Sequence, residues 1–210
     1  MKVRSYPLSR VTHEAIRMAA AEAAATVTEA AGRSEIGKGA WLRVYYVPDD
    51  LADYRDLVDL FSGWIGGKVN HKEVWRCDKT AFEKTIRTST NYGLHKHVSA
   101  WQSRHPTEMK GRYQFGGAVI LDCLIPELRR ERVKVLIAVS GFREVDDEAF
   151  TLILPMMPRL NWQPTNASVY QILHLSGNQA ARTLVDKVLG PDDGLNFRDG
   201  VETGPRDPYK

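Results

Sequence analysis

Nine consecutive residues, Val133-Lys134-Val135-Leu136-Ile137-Ala138-Val139-Ser140-Gly141, constrain this chain more than any other stretch. β-Branched and aliphatic side chains dominate the run, which stays nearly continuously apolar where a half-buried strand would alternate. A strand covered on both faces of its sheet is expected to look like this. Just upstream, residues 113–124 read as its partner strand, in which Gly116-Gly117 marks a bulge or a close backbone approach. Downstream, a Ser140-Gly141 turn leads to Asp146, Asp147 and Glu148. These open a helix through Ala149, Phe150, Ile153 and Leu154, with Pro155 and Pro158 disturbing its end. Residues 115–155 therefore predict two paired strands feeding a helix, the closing unit of an α+β domain.

Earlier elements follow the same logic. Thr12 offers an N-cap and Glu14 a first-turn carboxylate; Ile16, Ala19, Ala20, Ala23 and Val27 then recur at helical spacing until Gly32 stops the helix. Its alanine face predicts close packing against a sheet or a neighbouring subunit. Ala40–Val47 reads as a strand ended by Pro48-Asp49-Asp50, with Leu57–Trp64 as its partner and room for a helical turn in 49–56. From His71 to about Trp101 the spacing is again helical, with Val74, Trp75, Phe82, Ile86 and Leu94 as the expected anchors and Asn91-Tyr92-Gly93 as a place for an interruption. Residues 103–113 read as a loop. Ala167–Leu175 and Gln179–Leu189 are short amphipathic stretches, and a tail rich in Pro, Gly and Asp follows Gly190. A core domain over 1–160 is expected, with 161–210 as an extension packing on it or on a neighbouring subunit.

Composition narrows the function classes. Against 26 acidic side chains stand 29 basic ones, and a net charge of +3 is too small a surplus for a nucleic-acid face. Arg129-Arg130-Glu131-Arg132, the densest basic cluster, reads as a solvated turn between strands. Cys77 and Cys123 give neither a disulfide framework nor metal-ligand spacing. No leader-like apolar stretch opens the sequence, and no run approaches the ~18 apolar residues of a membrane span. A cytoplasmic setting is expected.

The Gly-Gly strand, the strand end Ile137-Ala138-Val139-Ser140-Gly141 and the helix start Asp146-Asp147-Glu148-Ala149 together resemble the GlcG/HbpS/PduO-C-terminal family, the haem-degrading-domain family. One branch, of uncharacterised oligomeric proteins, is more similar still: its Asn…Trp-x-Arg-Lys-type segment is echoed by Asn70, Trp75, Arg76 and Lys79. The resemblance covers roughly residues 10–158, and the last fifty residues have no counterpart in the minimal domain. It implies a profilin-like α+β fold, an antiparallel sheet flanked by helices, usually oligomeric. In some relatives it implies haem or tetrapyrrole binding.

Candidate chemistry is sparse. Ser140 lacks a Gly-x-Ser-x-Gly setting, so a local structural role outweighs a nucleophile. Asp146, Asp147 and Glu148 could hold a divalent metal, but they serve more simply as helix-start carboxylates. His95 and His97, with His105 near, show no zinc spacing, although a single axial histidine on haem needs none; His13 carries the same idea less well. Arg76, Lys79, Arg87 and Lys96 lie near Trp75 and Tyr92. They suit tetrapyrrole propionates, a solvated face or a subunit contact. The leading expectation is an oligomeric ligand-binding domain for haem or a related tetrapyrrole, with Arg76, His95 and His97 lining a pocket between the middle helix and the Gly-Gly strand. An oligomeric protein-interaction scaffold is the second expectation, drawn from the five tryptophans, the alanine-faced helix and the tail. A metal-dependent enzyme is the third.

Overall fold

A computed structural model describes residues 13–32, 39–66, 69, 71–100, 116–125, 131–142, 144–165 and 179–189. Thr12, Asn70, His105, the 103–113 loop, Arg129 and Arg130, Ala167–Leu175 and the tail lie outside the described residues. In chain order the elements are α1 (His13–Ala30), β1 (Ala40–Val47), a 3-10 turn at Tyr54–Asp56, β2 (Val58–Ile65), α2 (His71–His95), β3 (Ala118–Ile125), β4 (Glu131–Ser140), α3 (Glu144–Ile153), a 3-10 turn at Leu154–Met156, β5 (Gln163–Pro164) and α4 (Gln179–Leu189). The five strands form one open antiparallel sheet in the order β2-β1-β4-β3-β5. Four helices flank it among the described residues. This is the α+β class expected from the sequence, and it is consistent with a profilin-like fold.

β4 is central, and both its faces are covered. Val133, Val135, Ile137 and Val139 point into the larger core, which also holds Ile16 and Val27 of α1, Phe150 and Ile153 of α3, and Leu184 and Val185 of α4. Leu136 and Ala138 point the other way, into a smaller cluster with Tyr45, Val47, Ala118 and Ile120, against which Tyr92 of α2 packs. The near-continuous apolar run is thus two interleaved sets of side chains, one for each face. β4 also starts earlier than the sequence suggests: Glu131 and Arg132 pair with Ile125 and Leu124 and are not part of a turn.

Helix α1 buries Ile16, Ala19, Ala20, Ala23, Ala24 and Val27, and Gly32 leaves it at φ +65°, the left-handed stop for which glycine is suited. α4 packs against α1 and α3. β1 and β2 pair in register except for a bulge, where Val44 and Tyr45 face Phe61 and Asp59, so Leu60 is the extra residue. The 3-10 turn before β2 carries a capping box in which Asp53 accepts from the Arg55 N–H. No helix among the described residues is long and apolar enough to cross a membrane.

Candidate functional site

Among the described residues, helix α2 is the helix over the second face of the sheet, and its two sides are distributed against expectation. The side turned to the sheet is small and polar: Cys77, Ala81, Lys84, Thr85, Thr88 and Ser89 are its buried residues. The side turned to solvent carries the bulk, with Trp75 68% exposed, Leu94 71%, Phe82 37%, and Ile86 half-buried. Of the anchors inferred from apolar spacing, Trp75, Phe82 and Leu94 are therefore exposed, while Val74 and Ile86 are partly buried. Part of the reason lies below the helix, where Tyr45, Val47, Ile120 and Leu136 already fill the layer, so small helix residues allow close approach. The other part is Lys84.

Lys84 is only 3% exposed, and its Nζ donates to the Val139 carbonyl at 2.8 Å and to Asp147 Oδ2 at 2.9 Å. Asp147 Oδ1 also accepts the Phe142 N–H at 3.1 Å, and Glu148 Oε2 accepts the Gly117 N–H at 2.6 Å. The Gly117 carbonyl in turn accepts the Val139 N–H at 2.7 Å. One buried polar knot therefore ties α2, β4, the start of β3 and the first turns of α3 together. Such groups are tolerated inside a protein when their hydrogen bonds are made. The helix-start carboxylates are thus interior groups, with Asp146, Asp147 and Glu148 all buried.

Two glycines allow close backbone approach, Gly117 at this knot and Gly141 against the start of β1. Gly117 holds φ +86°, and a Cβ there would overlap Asp147 Cβ and sit 3.1 Å from the Val139 carbonyl oxygen. Gly141 holds φ +133°, and a Cβ there would lie 2.6 Å from the Gly39 oxygen and 2.7 Å from Ala40 Cα. Ser140 is buried at the end of β4. The close backbone approach inferred from the double glycine is therefore the docking of α3.

Burial pushes the Asp147 carboxyl up to about 7, against the opposing pull of the Lys84 ammonium and the Phe142 N–H. The folded chain therefore holds a proton that the unfolded chain, with a carboxyl near 3.9, releases. That contribution to stability is complete below roughly pH 4 and is lost as pH rises through about 7. The unfolding free energy of the parent minus that of Asp147→Asn is expected to decline across this window in urea titrations. A difference independent of pH contradicts the assignment.

At the flank between α2 and the sheet, Arg43, itself largely buried, reaches up from β1. Its guanidinium forks onto Asp78, donates to the Tyr45 hydroxyl at 2.9 Å and lies over the Phe82 ring at 5.1 Å. Tyr54 meets Phe82 edge-on at 5.9 Å, and the Lys79 ammonium lies over the Trp75 ring at 5.7 Å. The exposed aromatics are thus framed by cations.

The residues proposed for a ligand pocket fall at two places. Arg76 is exposed near the start of α2; His95 is the last helical residue and His97 lies just beyond, their rings 5.5 Å apart. About 28 Å of helix separates Arg76 from His95. The layer between α2 and the Gly-Gly strand is occupied by the smaller apolar cluster and the buried polar side chains of α2. Of the cations near aromatics, Lys79 and Lys96 lie over Trp75 and Tyr92 respectively, while His13 stacks on Phe61 at 4.3 Å. Among the described residues no group of three or more His, Cys, Asp or Glu side chains is placed to hold a metal ion. Sequence reasoning passed over Lys84. Its signal was its place in the row of Cys77, Ala81, Thr85 and Thr88, whose spacing marks a single helix face.

Comparison with protein-family models, curated proteins and solved structures finds no match to this chain.

Proposed function

We propose that this chain is a protein-interaction domain whose working surface is the outer face of α2. The observation that carries the reading is the inversion of that helix, with a small polar inner face and Trp75, Phe82 and Leu94 outside. Leaving an apolar side chain of this size in water forgoes roughly 1.5–3 kcal/mol relative to burying it. Isolated exposed apolar residues are ordinary, but here three stand on the solvent side of one helix along about 28 Å, Trp75 and Phe82 nearly in line and Leu94 about 100° round from Trp75. Exposed tryptophan and phenylalanine are enriched at contact sites between proteins, and tryptophan is among the residues that dominate their energetics.

A tetrapyrrole site has narrower support, the neighbouring rings of His95 and His97. Such a site could draw on only one end of α2, because Arg76 is farther from His95 than one tetrapyrrole spans. The interaction reading uses the whole helix.

The test is a hydrophobic fluorescent probe, bis-ANS, added to dilute folded protein. Fluorescence enhancement is expected with the parent and is expected to be lost in Trp75→Ser/Leu94→Ser, while urea unfolding of that variant stays within about 1 kcal/mol of the parent. Equal probe binding by both proteins, or collapse of the variant's stability, would overturn the reading.

A further inference from the structure

We infer that the partner of α2 is α2 of a second copy of this chain, packed antiparallel about a two-fold axis; this rests on the interaction reading above. On the outer face Trp75, Lys79, Phe82, Ile86, Thr90 and Gly93 follow one another at steps of four and three, the spacing of a helix-pairing seam. Trp75, 68% exposed, stands at one end of this seam and Gly93 at the other. An antiparallel copy places each against the other. In that register the missing side chain of Gly93 leaves room for the second copy's indole, while Leu94, about 100° round the helix from Trp75, borders the seam. A Cβ at Gly93 meets nothing within 4 Å, so the gap is open in the single chain.

The centre of the same register brings Phe82 toward Ile86 of the second copy. It also sets Glu83 alongside the second copy's Arg87, an opposite-charge pair made twice by the symmetry. Lys79 faces Thr90 and not another lysine. A parallel pairing would instead put Lys79 against Lys79 and Glu83 against Glu83, so charge selects the antiparallel arrangement. From the exposed fractions of Trp75 and Phe82 with the stems around them, two copies would cover on the order of 1,000 Å² at most, short of the roughly 1,200 Å² at which stable specific interfaces begin. A weak, reversible association is therefore expected.

Cysteine cross-linking reads both partner and register. Lys79 and Thr90 are exposed, whereas the native Cys77 and Cys123 are buried and do not compete. Lys79→Cys and Thr90→Cys proteins, mixed and mildly oxidised, are expected to form a disulfide dimer at least about tenfold more than either variant alone. Two Lys79 positions would lie about 16 Å apart along the seam, too far for a bridge. Equal cross-linking of Lys79→Cys with itself would overturn the antiparallel register. No cross-link in any combination would overturn self-pairing, and probe binding by the dilute parent in the preceding test then shows that the face still awaits a different partner. Absence of both results removes the interaction reading as well.

Discussion

Gly117→Val is expected to lower the unfolding free energy by about 3–5 kcal/mol, enough to leave the domain near its folding threshold. Two penalties combine. The backbone at Gly117 has φ +86°, where a β-branched residue is strained by roughly 1–3 kcal/mol. The new side chain also meets Asp147 Cβ and the Val139 carbonyl, and overpacking of this kind costs roughly 1–3 kcal/mol more. The damage spreads because Gly117 is held on both sides, its N–H by Glu148 and its carbonyl by the Val139 N–H. Displacing α3 strains the Asp147 contact with Lys84 and hence the seating of α2. Gly93→Ala is the matched control: a helical position with no neighbour near the added methyl is expected to be neutral or stabilised by up to ~1 kcal/mol. Urea denaturation of the three proteins measures both effects. A loss under about 1 kcal/mol for Gly117→Val would mean that α3 is not docked this closely.

Trp75→Glu is expected to act on assembly and to leave the fold alone. The indole is 68% exposed, so little is lost inside a single chain. In the paired arrangement each copy supplies one such anchor, and truncating a dominant interface residue costs roughly 1–2 kcal/mol or more. Two anchors per dimer, each replaced by a charge on the seam, weaken association by about 30- to 1,000-fold.

Much of the architecture was legible in the sequence, for identifiable reasons. β4 revealed itself because an apolar run with both faces buried has few other homes, and β1 and β2 because aromatic and β-branched clusters end at Pro48 and at Gly66. The paired glycines announced a close approach, and Gly117 beside Asp147 supplies it. α2 was legible as a helix but not in orientation. Apolar spacing identifies a face and says nothing about which side that face is turned to. Here the bulky residues were read as the core side because burial is the usual fate of Trp and Leu. What turned the helix over is a non-local pairing: Lys84 reaches Asp147 and the Val139 carbonyl, 63 and 55 residues further along the chain. No local pattern encodes such a partner. The carboxylates of α3 are legible as helix openers, but their burial is not, since Asp147 is held by the distant Lys84 and Glu148 by the Gly117 N–H.

Both lessons meet in the middle helix. The fold uses its polar side, which leaves the apolar side for something else. Sedimentation velocity of the parent and Trp75→Glu over a range of protein concentrations tests that division of labour most directly. The parent should shift from the 23.7 kDa monomer toward a dimer as concentration rises, while Trp75→Glu remains monomeric with the parent's unfolding profile. Identical sedimentation of the two proteins at every concentration would contradict it.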